Sequence, residues 1–191
     1  ALATGSIGMN ATDALLLGEG SNIVALSGNP IGFGGDMHFK GATVAVAGTV
    51  SVSRRGSTNA GGGHVWMEAD DDFILEDSGE IFLKGGSSSV GGTLRIDGSD
   101  VNMAGTISAK ISGSAPQRGG KVSIVARDTL NVSGPISTGG TERGGIISLV
   151  ALDSIWVDAN LNAGDGPYGL ISMHSRNGSI VLDGDHTAAK E

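Results

Sequence analysis

Acidic side chains recur in this chain at one place of a repeating unit, two residues after a small residue. The series consists of Asp13, Asp71, Asp100, Asp128, Asp153 and Asn177. Stacked carboxylates could bind calcium or act as a general acid and base. Asp and Asn also stabilise turns by accepting hydrogen bonds from nearby backbone N–H groups. Because this position returns in nearly every unit, whereas a catalytic site is needed only once, we interpret the series as a structural turn ladder and predict no catalytic residue.

The densest acidic stretch, EADDDF at residues 68–73, is the best candidate for a metal site. Asp70, Asp71 and Asp72 could surround calcium with carboxylate and carbonyl oxygens. Their spacing lacks the alternating ligands and the terminal Glu of an EF-hand loop. The chain also lacks the nonapeptide repeat of calcium-binding β-rolls. A solvated turn explains these residues better, so they remain metal candidates only, and no cofactor is predicted.

Three aromatic residues alternate with inward-pointing apolar residues and are therefore expected to point outward: Trp66, Phe82 and Trp156. An exposed flat ring can stack on a sugar or contact a protein partner. The alternative is that long loops, such as RRGSTNAGG at 54–62 and GDGPYG at 164–169, cover these rings. The three residues are the ligand-binding candidates, and a host or matrix glycan is the ligand class that they would bind.

The elements that position these side chains follow from a repeat. Glycine pairs divide the chain into units of roughly 25 to 29 residues, with weaker versions near Gly5 and Gly169. The clearest pairs are Gly34-Gly35, Gly62-Gly63, Gly91-Gly92, Gly119-Gly120 and Gly144-Gly145. After each pair, apolar residues alternate with polar ones in three short segments. In the third unit, Ile74 or its neighbours fill the second segment, whose register the sequence leaves open.

Alternation with a period of two is typical of a strand with one buried face. Three short strands per unit, small corner residues and no helical period predict one coil of a parallel β-helix. Such a coil buries its inner face only when neighbouring coils stack on it at roughly 4.8 Å. Parallel crossovers favour a right-handed coil. We therefore predict an all-β, right-handed parallel β-helix of about seven three-strand coils over residues 1–183, followed by a polar tail at 184–191.

Composition excludes several classes of function. The formal net charge is −8, which disfavours nucleic acid as a partner because phosphate binding needs clustered Lys and Arg. No apolar run is longer than four residues, as in ALLL at residues 14–17, which is too short for insertion into a membrane. The chain has no cysteine, so neither a disulfide nor a thiolate metal site can form.

The ends of the predicted β-helix have no amphipathic capping helix. Open sheet edges recruit further strands. We therefore expect either continuation in a longer chain or end-to-end self-association of subunits.

Once aligned, the units resemble the repeat region of filamentous-haemagglutinin-like exoproteins, the large adhesins of two-partner secretion. The resemblance is carried by GGTLRIDGSDVNMAGTISAKISG at 91–113, GGKVSIVARDTLNVSGPISTGG at 119–140 and GGIISLVALDSIWVDANLNAG at 144–164, and extends roughly over residues 34–183. It implies a right-handed β-helix, export across the outer membrane and an extracellular or cell-surface location.

Two classes of function fit these features. The first is a non-enzymatic adhesin stalk or filament-forming scaffold. The regular coils favour it, as does the lack of reactive residues at the positions that repeat from coil to coil. The alternative is a carbohydrate-active β-helix, such as a lyase or glycosidase, or a passive glycan-binding module. A glycosidase needs two carboxylates about 5 to 9.5 Å apart, and Asp71 and Asp100 in successive coils could meet that distance.

Overall fold

The computed structural model of the protein describes residues 5–27, 34–54, 61–83, 85, 90–111, 117–164 and 166–188. These residues form β-strands joined by turns, and each glycine-delimited unit contributes three strands. None of them belongs to a helix long and apolar enough to cross a lipid bilayer.

The strands follow one another in groups of three, and each group is one coil. The first three coils comprise β1 (Ser6–Asn10), β2 (Ala14–Leu17), β3 (Asn22–Ser27), β4 (Asp36–Gly41), β5 (Thr43–Val46), β6 (Thr49–Arg54), β7 (His64–Ala69), β8 (Phe73–Leu75) and β9 (Glu80–Leu83). The fourth and fifth coils comprise β10 (Thr93–Gly98), β11 (Val101–Met103), β12 (Thr106–Ser108), β13 (Lys121–Ala126), β14 (Leu130–Val132) and β15 (Ile136–Ser137). The last two coils comprise β16 (Ile146–Ala151), β17 (Ile155–Asp158), β18 (Leu161–Asn162), β19 (Leu170–Ser175), β20 (Ile180–Asp183) and β21 (His186–Thr187).

Corresponding strands of successive coils pair side by side in parallel and make three sheets of seven strands. The first sheet has the order β1-β4-β7-β10-β13-β16-β19, and the second has β2-β5-β8-β11-β14-β17-β20. The third sheet runs from β3 through β6, β9, β12, β15 and β18 to β21. The prediction of a right-handed parallel β-helix of three-strand coils is confirmed.

The core is a set of stacked columns of apolar side chains inside the coils. The inward residues predicted from the alternation are buried through the middle of the rod, as Val122, Ile124 and Leu130 illustrate in the fifth coil. In the third coil, the sequence left open which residues of the second strand point inward. Phe73 and Leu75 do so and are fully buried, on either side of the half-buried Ile74. Phe73, Ile74 and Leu75 are all apolar, so alternation alone does not choose between the two registers. Three residues separate Ala69 from Phe73, as three separate Ala126 from Leu130 in the fifth coil.

Glycine pairs mark a corner where successive coils approach each other closely. A Cβ built on Gly119 would lie 2.0 Å from the carbonyl oxygen of Thr138 and 2.4 Å from the nitrogen of Gly145. Both neighbours are backbone atoms, which cannot move aside as a flexible side chain can. Glycine at this corner is therefore required by the close packing of one coil on the next.

The seventh coil differs from those before it in two ways. Its third strand, His186–Thr187, pairs with β18, so the coil continues into the segment expected to be a polar tail. A two-residue strand with His186 at the inward position has no apolar alternation, so no sequence pattern predicted it. The inward side chains of β20 are also open: Ile180 is 42% exposed and Leu182 is 50% exposed, whereas Ile155 beneath Ile180 is fully buried.

Candidate functional site

The first sheet carries a column of three large outward side chains in adjacent coils. Main-chain register places Trp66 beside His38 on one side and beside Arg95 on the other. The imidazole of His38 stacks on the indole of Trp66 with a centroid separation of 4.6 Å and an interplanar angle of 19°. On the opposite side, the guanidinium carbon of Arg95 lies 5.5 Å from the centroid of the indole ring. The Trp66 ring is therefore held between two cationic or potentially cationic groups.

A second outward column, two residues further along the same strands, is charged. Lys40 Nζ lies 2.6 Å from Glu68 Oε1 and 3.8 Å from Asp70 Oδ1, and His38 Nε2 lies 3.7 Å from Glu68 Oε2. The hydrogen bond from Lys40 lowers the pKa of the Glu68 carboxyl below its ordinary value and raises that of the Lys40 ammonium. Glu68 is thus held as a carboxylate, which suits an ion pair and not a proton donor.

Asp97 connects the two columns. It accepts hydrogen bonds from Arg95 Nε at 2.6 Å and from Trp66 Nε1 at 3.2 Å, both to Oδ2. Arg95 Nη2 also donates to Asp97 Oδ1 at 3.2 Å, and this pairing raises the pKa of the Arg95 guanidinium. The stacked column and the charged column therefore form one network across the second, third and fourth coils.

A shallow groove of about 480 Å³ runs over this face of the first sheet. Its outward-facing lining comes from two columns of the first four coils. One column consists of Ser6, Asp36, His64 and Thr93, and the other consists of Gly8, His38, Trp66 and Arg95. Gly8 occupies the stacked column beside His38, so the column has no side chain in the first coil. A smaller cavity of about 230 Å³ lies on the other side of Trp66 and Arg95, where Glu68, Asp97 and Arg127 line it.

The three aromatic candidates do not form one surface. Trp66 belongs to the first sheet, Trp156 to the second and Phe82 to the third. Trp66 and Trp156 are 41% and 43% exposed, and Phe82 is half-buried. A single ligand that uses all three rings is therefore incompatible with the fold.

The faces of Trp66 are covered by its own column. His38 and Arg95 occupy the two sides on which a sugar would otherwise stack. This differs from the expected alternative of cover by the loop at 54–62, of which residues 55–60 lie outside the described residues. Trp156 lies between Asn131 and the half-exposed Val181 in its column.

The acidic turn ladder makes bonds between coils. Oδ1 of Asp100 accepts a hydrogen bond from the backbone N–H of Thr129 at 3.1 Å and another from the Thr129 hydroxyl. Thr129 belongs to the next coil, so the hydrogen bonds of Asp100 connect two coils. The sequence-based interpretation expected a donor within the same turn as Asp100. The carboxyl groups of Asp128 and Asp153 share a hydrogen bond that, together with the nearby charge of Asp100, raises the pKa of Asp128. These carboxyls therefore repel one another unless a proton is shared between them.

Asp70, Asp71 and Asp72 form the corner before β8. Arg127, from two coils further on, donates to the carbonyl oxygen of Ala69 at 2.7 Å and also to that of Asp70. Within the described residues, no group of three or more His, Asp or Glu side chains has the arrangement of a metal site. The Arg127 contact has no signal in the sequence, because it joins residues 57 and 58 positions apart.

Comparison with protein-family models, with curated proteins and with solved structures finds no match for this chain.

The columns themselves were visible in the sequence. His38, Trp66 and Arg95 each lie between two inward apolar residues, so alignment of the repeats places them in one column. Their interaction was missed because stacking depends on side-chain conformation as well as on register. The groove was missed for a related reason: it depends on the absence of a side chain at Gly8 beside His38, and that matters only once the coils are stacked.

Proposed function

We propose that the protein is a non-enzymatic, extracellular or cell-surface scaffold, as the rod of an adhesin or the subunit of a filament. The observation that carries this proposal is the unbroken register of all three sheets through seven described coils. A rod of this kind lengthens by adding identical steps, and its stability grows with each interface between neighbouring coils.

The seventh coil has the surface that such growth requires. Ile180 and Leu182 continue inward columns whose members one coil below, Ile155 and Val157, are almost completely buried. A further coil, from the same chain or from a second copy, would bury these side chains and pair the backbone groups of β20. The resemblance to haemagglutinin-like adhesin repeats supports export and a surface location for such a rod.

The alternative carbohydrate-active function receives less support from the groove. A glycosidase needs one carboxyl that holds a proton at the pH of reaction beside a second carboxylate. Glu68 and Asp97 face each other in register, but Lys40 lowers the pKa of Glu68 and Arg95 pairs with Asp97. Both acids are used to hold the surface network together, so neither suits the role of the proton donor in this groove.

A concentration series by analytical ultracentrifugation, followed by electron microscopy of the most concentrated sample, tests the scaffold. We expect rods that lengthen with concentration through contacts between open coils. Leu182→Asp places a charge in the inward column and should shorten the rods. Val181→Asp places the same charge on the outward face of the same strand and should leave them unchanged. A monomer at every concentration, or equal effects of the two variants, would contradict end-to-end assembly.

A further inference from the structure

The stacked column on the first sheet has an open position beside His38. Gly8 pairs in register with His38, and a Cβ built on Gly8 would meet no atom within 4 Å. The His38 ring therefore contacts Trp66 on one side and faces open space above Gly8 on the other, among the residues that the structure describes. We call this position the slot: the Gly8 backbone is its base, the His38 ring is its one wall, and β1 is the edge strand of the described sheet.

The spacing between the strands allows one more ring to stack on His38 in the slot. Successive strands of a sheet lie roughly 4.8 Å apart, and the His38 and Trp66 centroids are separated by 4.6 Å. A ring placed over Gly8 would thus meet the free face of His38 at the spacing that the column already uses. Because the imidazole is held by Trp66 and by Glu68 Oε2 at 3.7 Å, it offers an ordered surface for that contact.

Polar groups flank the slot on both sides. Ser6 and Asp36 pair in register along one flank and provide a hydroxyl and an exposed carboxylate. Asn10 and Lys40 pair along the other and provide an amide and an ammonium group. A ligand that fits must therefore be flat and apolar on its face and carry hydrogen-bonding groups around its rim.

We propose that this slot binds a pyranose ring of a neutral oligosaccharide. The C–H face of the sugar packs on the imidazole of His38, and its hydroxyl groups bond to Ser6 and Asp36. The Asp36 carboxylate accepts hydrogen bonds from hydroxyl groups and repels an acidic sugar. An aromatic side chain of a protein partner would also stack, but its apolar ring would form no hydrogen bonds with Ser6 and Asp36.

The groove accommodates more than one sugar. It extends from the slot across the second, third and fourth coils and has a volume of about 480 Å³, within the usual range of ligand sites. Beyond His38, the next units of a chain parallel to the rod axis would pass His64, the exposed edge of Trp66, and Thr93. Trp66 therefore contributes by holding His38 and by its edge, since its own faces are covered. This binding site is independent of the proposed scaffold role.

The test is a titration of the full chain with cellohexaose, with a hyaluronan hexasaccharide and with N-acetyltryptophanamide, by isothermal calorimetry. Gly8→Leu places a side chain in the slot, and its Cβ would meet no atom within 4 Å, so it should retain the fold and weaken cellohexaose binding by at least about tenfold. Gly18→Leu is the matched control, because a Cβ at this position also meets nothing within 4 Å and Gly18 follows β2, away from the slot. His38→Ala and Asp36→Asn should each weaken binding as well, and circular dichroism checks the fold of every variant.

Binding of cellohexaose that is lost in Gly8→Leu and kept in Gly18→Leu would support the site. No binding of cellohexaose at millimolar concentration, or equal affinity in Gly8→Leu, would overturn it. Tighter binding of the hyaluronan probe would contradict the role given to Asp36, and binding of the aromatic probe alone would overturn the assignment to a sugar.

Discussion

The ammonium group of Lys40 lies 2.6 Å from Oε1 of Glu68, 28 residues further along the chain. The two residues occupy one column because β4 and β7 pair with Lys40 opposite Glu68. One repeat length in the sequence thus becomes one step between neighbouring strands. Contacts of this kind hold successive coils together on the outside, as the apolar columns do on the inside.

Glu68→Gln should lower the melting temperature at neutral pH. The Lys40 pair lowers the folded-state pKa of Glu68 below the ordinary 4.5. A lowered pKa contributes stability that is present above pH 4.5 and is lost as the pH falls through the folded-state value. The difference between the variant and the wild type should therefore shrink in acid. Melting curves across this range check it, and a difference that does not depend on pH would contradict the pairing.

Asp128→Asn should raise the melting temperature at neutral pH, the opposite effect to that of Glu68→Gln. The hydrogen bond with Asp153, with the charge of Asp100, raises the folded-state pKa of Asp128 above the ordinary 3.8. Above that raised value the ionised group destabilises the folded protein, and below pH 3.8 this cost disappears. The variant should melt at a higher temperature than the wild type at neutral pH and should match it in acid. Asp77→Asn, in an exposed turn, controls for the change in net charge, and an equal effect there would contradict the prediction.

Ile147→Ala should cost about 2 to 5 kcal/mol of unfolding free energy, the usual range for a buried Ile. Ile147 is completely buried in the sixth coil. Ile171→Ala changes the next member of the same column, which is only partly buried, and should cost clearly less. Urea denaturation measures both. Equal losses would show that the seventh coil is as closely packed as the sixth.

Gly119→Ala should destabilise the rod strongly, because the new methyl group would lie 2.0 Å from the Thr138 carbonyl oxygen. Gly8→Ala adds the same group where nothing lies within 4 Å. It should be neutral or stabilising by roughly 0.4 to 1 kcal/mol, since alanine restricts the unfolded chain. Thermal melts followed by circular dichroism compare the two. A harmless Gly119→Ala would contradict the close approach of the coils at this corner.

Trp66→Ala should lower stability more than Trp156→Ala, although the two rings are almost equally exposed. Trp66 stacks on His38, contacts Arg95 and donates to Asp97, and an aromatic pair contributes about 0.5 to 1.5 kcal/mol. Trp156 lies beside Asn131 and Val181. Chemical denaturation of the two variants provides the comparison, and equal losses would mean that the stack contributes no stability.

The sequence by itself determined the architecture of this protein. Glycine pairs marked each coil, and alternating residues such as Val122 and Ile124 marked the inward face of each strand, because a strand turns successive side chains to opposite sides. Alignment of the repeats also placed His38, Trp66 and Arg95 in one column. The register of β8 could not be read in the same way, since Phe73, Ile74 and Leu75 are all apolar and show no alternation.

Only the tertiary structure decided what the columns do. Whether the face of Trp66 is free depends on side chains about 4.8 Å above and below it, which belong to residues 28 and 29 positions away. The same applies to Asp100, whose donor Thr129 lies in the next coil, and to the open space over Gly8. Local sequence sets the direction in which a side chain points, but its contacts, its pKa and its access to a ligand depend on neighbours from other coils. The fold therefore followed from the repeat, and the candidate site required the packing of one coil on another.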